Sequence, residues 1–197
     1  MRFPKLLIIM LLLVGNSYAS TLLIVGDSLS AGYGINPNNG WVNLLRADLE
    51  PKLKIINASI SGDTTGNGLA RLPLLLKKFK PTYVLLELGG NDGLRGHPLA
   101  KTKANLQTMI DLCRAQNAQP LLFAMRLPPN YGKRYTDTFA RLFPTLAEEQ
   151  GIPLVPFQFE ELVLTAGMIQ QDGIHPTELA QPIIKQAVLT EVRKILK

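Results

Sequence analysis

Five short apolar runs, at 21–25, 53–57, 82–88, 120–124 and 153–156, are separated by longer stretches whose apolar residues recur at helical spacing. Trp41, Leu44, Leu45 and Leu49 mark one such stretch, and Leu69, Leu72, Leu76 and Phe79 a second. Leu106, Met109, Ile110 and Cys113 mark a third, and Phe139, Leu142, Phe143 and Leu146 a fourth. Ile184, Ala187, Val188 and Val192 mark the last. Strand-length runs alternating with amphipathic helices predict an α/β domain built on a five-stranded parallel sheet. The runs LLIV and YVLLEL are nearly continuous in apolar character, as expected of strands covered on both faces.

The first 19 residues stand apart from this grammar. A short basic start, MRFPK, leads into nine apolar residues, 6–14, and then into Gly15-Asn16-Ser17-Tyr18-Ala19. Ser17 and Ala19 have the spacing read by a signal peptidase, so the pattern predicts a secretory signal at 1–19 and a single domain at 20–197. Nine apolar residues are too few to span a bilayer, which takes about 20. Loss of Arg2 and Lys5 would lower the net charge from +6 to +4. The remaining basic residues are spread along the chain, the densest run being Lys77-Lys78-Phe79-Lys80 at a helix end, and so mild an excess does not argue for nucleic acid as a partner. One cysteine rules out an internal disulfide, and with two histidines the chain offers no dedicated zinc site.

In a parallel sheet, ligands bind outside the carboxyl ends of the strands. Four segments follow the first four apolar runs: GDS (26–28), ASISGD (58–63), GGND (89–92) and MRLPPNYG (125–132). Each is rich in glycine, small polar residues or turn formers. Ser28 stands where a hydroxyl is either exposed at the sheet edge or spent as an N-cap for the residues after it. Much further along, QQDGIHPTEL places Asp172 three residues before His175, with Gly173 between them and Pro176 after. A carboxylate so placed can hold an imidazole by Nδ1–H and leave Nε2 free to take a proton. Gly62 can expose its backbone N–H, and Asn91 carries an amide at the end of the most apolar strand; both are donor types suited to an oxyanion. Asp27 is read as a brace for its loop. His97, with no acid at useful spacing, is read as an exposed loop residue. Neither G-x-x-x-x-G-K-[ST] nor G-x-G-x-x-G follows the first strand, which removes the common phosphate-binding readings.

GDSLSAGYG, NASISGDTT, LELGGND and DGIHP stand in the order of the four sequence blocks of the SGNH (GDSL) hydrolase superfamily, which the chain resembles. With GLARLP and RLPPNYGKRY, the resemblance extends over nearly all of 20–197, toward bacterial members that combine thioesterase, protease, arylesterase and lysophospholipase activities. It implies a flavodoxin-like three-layer α/β/α sandwich. It implies Ser28 as nucleophile, His175 as base, Asp172 as its carboxylate partner, and Ser28, Gly62 and Asn91 as oxyanion donors. Hydrolysis of acyl esters and thioesters through an acyl-enzyme is then expected, with no metal or cofactor. Leu94, Leu127, Tyr131 and Ile174 are the crest-loop residues expected to line an acyl groove. A monomeric, periplasmic or secreted enzyme with at most transient membrane-surface contact is the matching expectation. The alternatives are a carbohydrate O-deacetylase of the same superfamily and a non-enzymatic lipid-binding module.

Overall fold

The computed structural model describes residues 20–196, so the signal segment read at 1–19 lies outside the described residues. Five strands, β1 (Ser20–Gly26), β2 (Leu53–Asn57), β3 (Tyr83–Glu87), β4 (Gln119–Phe123) and β5 (Leu154–Val155), form one sheet in the order β2-β1-β3-β4-β5. Every pairing is parallel. This is the flavodoxin-like strand order. The central strands bury Leu22, Leu23, Ile24 and Val25 of β1 and Val84, Leu85 and Leu86 of β3 completely, which is why they read as unbroken apolar runs.

Helix positions follow from the direction of each crossover. The chain moves one way from β1 to β2 and the other way from β2 through β3 and β4 to β5. Right-handed connections therefore put the first helix on one face and the next ones on the opposite face. Helix α2 (Trp41–Leu49) packs with α8 (Gln181–Ile195), and α3 (Thr65–Phe79) packs with α5 (Leu99–Ala115), which also meets α6 (Lys133–Gln150). The result is three layers with the sheet between two helical sheets of cover. Cys113 is buried in α5, and burial pushes its thiol up to about 12, so it is a core residue with no nucleophilic role.

Three short helices were not legible in the periodicity: α1 (Ser28–Ala31), α4 (Gly90–Leu94) and α7 (Phe159–Leu164). Each is too short to show a 3.6-residue repeat. Strand β5 is also shorter than the apolar run at 153–156, because prolines 153 and 156 have no N–H to give the ladder. Strand order reverses between β1 and β3, and the crevice beyond their carboxyl ends is where such a sheet presents its ligand site.

Candidate active site

Ser28 is separated from the end of β1 by Asp27 alone and opens α1. The N-cap of that helix is not Ser28 but Asp27, whose Oδ1 accepts the Leu29 N–H at 3.1 Å. The Ser28 hydroxyl is thus released from capping, and it lies 2.8 Å from His175 Nε2. His175 Nδ1 lies 2.6 Å from Asp172 Oδ2. The other carboxylate oxygen, Oδ1, accepts the backbone N–H of Ile174 at 2.9 Å and of His175 at 3.0 Å. Partial burial pushes the Asp172 carboxyl up, but these two N–H groups and the His175 ring together hold it below the ordinary aspartate value. An ionised Asp172 accepts a hydrogen bond from Nδ1–H, so Nε2 is the acceptor that faces the serine hydroxyl.

The loop carrying Asp172 and His175 is tied to the first one. Gln170 Nε2 donates to Tyr33 O at 2.9 Å and to Pro176 O at 3.1 Å, and Gln170 N donates to His175 O at 2.8 Å. The Tyr33 ring packs on the His175 ring with centroids 4.5 Å apart. These contacts bring residues 147 positions apart into hydrogen-bond range.

Of the oxyanion candidates, Asn91 lines the crevice at Ser28, and Gly62 stands on the crest loop after β2, tied to Arg95 after β3. Asn91 sits in the first turn of α4, after β3, and its Nδ2 donates to Asp27 Oδ2 at 3.0 Å. One amide hydrogen is used there and the second is left over. Gly62 has φ +85°, a conformation that a side chain would strain, and its carbonyl accepts Arg95 Nη2 at 3.1 Å. Among the described residues the Gly62 and Ser28 N–H groups have no acceptor. Arg71 braces the segments beneath: its Nε donates to Asp63 Oδ2 at 2.7 Å, and it reaches the carbonyls of Ala58 and Gly26.

Glu87, at the end of β3, was not singled out in the sequence. It is completely buried under the Gly26-Asp27 turn, where Oε2 accepts the Asp27 N–H at 3.1 Å and the Ser30 hydroxyl at 2.6 Å. Gly26 permits this approach, since any Cβ there would strike Glu87 Oε2 and come within 3 Å of the Ser30 and Ser59 hydroxyls. A lone charged residue in the otherwise apolar YVLLEL was the available signal. Burial, and next the Asp27 carboxylate beside it, hold the Glu87 carboxyl well above the ordinary glutamate value; burial raises Asp27 too, against its hydrogen bonds. Glu87 is therefore the partner that holds its proton to the higher pH. Folding then binds a proton that the unfolded chain releases, so this group costs stability as pH rises above the ordinary glutamate range. Glu87→Gln keeps an acceptor for Asp27 N and Ser30 Oγ and cannot ionise. It is expected to flatten the fall in stability between pH 5 and 8 by up to about 1.4 kcal/mol per pH unit, read from urea titrations across that range. A wild-type slope retained in the variant would assign the effect to another group.

A cavity of about 50 Å³ opens at Ser28, Asn91 and His175. Leu94 and Ile174 line it, whereas Leu127 faces a neighbouring cavity and the exposed Tyr131 lines neither. Met125, Arg126, Phe157 and Phe159 also stand in its wall. The two phenylalanines follow β5, and asking of the fifth strand what was asked of the other four would have found them. His97 is half-exposed with Nδ1 3.8 Å from Asp92 Oδ1, an acid five residues upstream that the spacing argument passed over. Asp92 is already engaged by Thr65 N at 2.8 Å and Thr65 Oγ1 at 2.6 Å, so the pair forms no second dyad. Among the described residues no group of three His, Cys, Asp or Glu side chains is placed to hold a metal, and no helix is long and apolar enough to cross a membrane.

Comparison with known proteins places this geometry. Residues 24–181 match the GDSL-like Lipase/Acylhydrolase family. The chain is 46% identical to the Thioesterase 1/protease 1/lysophospholipase L1 of Escherichia coli (strain K12) over 190 residues, 96% of this chain and 91% of the relative. It is 45% identical to an arylesterase of Vibrio mimicus over 198 residues, 99% of each chain. The crystal structure of TesA superposes with a TM-score of 0.84 at 47% identity, covering 89% of this chain and 99% of TesA. With the crest loops of β1, β2 and β3 gathered around one serine and one histidine, and a family match across most of its length, the chain belongs to the GDSL-like Lipase/Acylhydrolase family and is an ester hydrolase.

Proposed function

We propose that Ser28 is the nucleophile of this hydrolase, His175 its general base and Asp172 the group that orients the ring. The unbroken line from Asp172 Oδ2 through the imidazole to Ser28 Oγ, with links of 2.6 and 2.8 Å, carries the reading. His175 Nε2 takes the hydroxyl proton as Oγ bonds to the acyl carbon. The carbonyl π electrons move to oxygen, where the N–H groups of Ser28 and Gly62 and the free Asn91 hydrogen receive the charge. Collapse expels the alcohol or thiol, which leaves with the proton from His175. Water then repeats both steps on the acyl-enzyme and releases the acid.

The substrates proposed are fatty acyl esters and thioesters, lysophospholipids among them. The names of the Escherichia coli and Vibrio mimicus relatives support this range. The signal pattern at 1–19 supports an exported enzyme, and the dispersed charge supports one that does not bind nucleic acid; a monomer is proposed with it. One observation favours a second reading: 50 Å³ at the serine suits a short acyl group such as acetyl, as an O-deacetylase would need.

The nucleophile is tested by covalent labelling. A fluorophosphonate is expected to leave one adduct, on the peptide containing Ser28, with labelling slowed at least 100-fold in His175→Ala. An adduct on another serine, or equal labelling of both proteins, would refute the assignment.

A further inference from the structure

Tyr33 stands just after α1 and is more than half exposed, yet its backbone is fixed on both sides. Its N–H donates to Ser28 O at 3.1 Å, and its carbonyl accepts Gln170 Nε2 at 2.9 Å. One residue is thereby tied both to the serine's own backbone and to the loop that carries His175. Gly34 makes the second tie possible: its φ is +73°, and any Cβ there would come within 2.3 Å of Gln170 Oε1. The Tyr33 ring packs on the His175 ring with centroids 4.5 Å apart and planes 40° apart. Rings that close cannot lie edge to edge, so they meet through their faces. Among the described residues the Tyr33 hydroxyl has no hydrogen-bond partner.

Tyr33 does not line the cavity at Ser28, so its route to the reaction runs through the imidazole. The space between Ser28, Tyr33, Ile35, His175 and Pro176 is too narrow for a water. One side of the imidazole therefore meets an aromatic ring where it would otherwise meet solvent. The Asp172 carboxylate approaches differently, at Nδ1 on the ring's edge. An aromatic face is negative and attracts a cation within about 6 Å of its centroid. His175 is neutral while Nε2 accepts from the Ser28 hydroxyl and becomes imidazolium once it takes the proton. An attraction that appears only with that charge favours the transition state over the ground state.

We propose that Tyr33 is a positioning residue of the hydrolase, whose ring holds His175 against Ser28 and steadies the imidazolium formed when first Ser28 and then water gives up a proton. This rests on the reading of His175 as the general base. The same charged ring forms in acylation and in deacylation, so the effect reaches kcat whichever of the two is slower. A contact of this kind is worth between about twofold and about thirtyfold in rate, the larger figure applying where water is excluded.

The test is steady-state kinetics on p-nitrophenyl octanoate. Tyr33→Leu keeps an apolar side chain against His175 and removes the aromatic face; it is expected to lower kcat at least about threefold, with KM unchanged within about twofold. Tyr33→Phe keeps the face and loses only a hydroxyl without a partner, so it should retain at least about half of the wild-type kcat. On a His175→Ala background, Tyr33→Leu should change the residual rate by less than about twofold, since the ring it steadied is gone. A smaller loss in Tyr33→Leu would overturn the proposal, because packing alone would then suffice. So would a Tyr33→Phe variant as slow as Tyr33→Leu, a change carried by KM, or a full effect of Tyr33→Leu without the imidazole. Failure of the underlying reading looks different: His175→Ala alone would keep wild-type activity.

Discussion

Ser28→Ala is expected to lower kcat on p-nitrophenyl octanoate by on the order of 10⁴–10⁶ while leaving the fold intact. The size follows from what the hydroxyl does. Without Oγ no acyl-enzyme forms, and only the positioning and oxyanion groups remain to assist attack by water. Structural silence follows from a different observation. Were Ser28 the N-cap of α1, its loss would cost about 1 kcal/mol. Asp27 is the cap, and among the described residues the Ser28 hydroxyl is bonded only to the His175 ring. The urea midpoint should therefore move by no more than an exposed substitution does, about 0.5 kcal/mol in stability. His175→Ala should lose nearly as much activity, and the double variant little more than either, because the two act as a unit. Activity surviving within tenfold of wild type in Ser28→Ala would remove the nucleophile from the mechanism.

How much of this was legible before the structure depends on where each residue's partners come from. β1 and β3 announced themselves because both faces are covered, so every position is apolar. The ends of those strands could then be read as the crest of the sheet, and Ser28, Gly62 and Asn91 came with them. Asp172 and His175 were legible because their pairing is local, three residues apart on one loop. Glu87, Tyr33 and Phe159 were not, since each acquires its role from a segment distant in sequence: Glu87 from the turn after β1, Tyr33 from the His175 ring, and Phe159 from the 126–128 segment. Helices of four to six residues were lost for the related reason that capping and tertiary contacts, not periodicity, hold them. The acyl groove shows the same limit. Leu94, Leu127, Tyr131 and Ile174 all stand on crest loops, yet the backbone sends them to different places: two to the serine, one to the neighbouring cavity and one to neither.

Two carboxylates near the serine do different work, and their substitutions should separate cleanly. Asp172→Ala is expected to cut kcat by on the order of 10⁴, because His175 loses both its tautomer and its orientation. Asp27→Asn should cost less, at most the 10²–10³ of one oxyanion donor. Asp27 never meets the imidazole by hydrogen bond; its Oδ2 accepts Asn91 Nδ2 at 3.0 Å while Oδ1 caps α1. An asparagine there has one oxygen for two donors. If it keeps the Leu29 N–H, its own NH₂ confronts the Asn91 amide, and Asn91 must rotate away from the crevice. Asp27 is thus a positioning residue acting through Asn91, and a double-mutant cycle isolates that route. On an Asn91→Ala background, Asp27→Asn should change kcat by less than about threefold, since the group it positioned is gone. A full effect on both backgrounds would mean that Asp27 reaches the reaction by another path, and a loss larger than that of Asp172→Ala would reverse the roles of the two carboxylates.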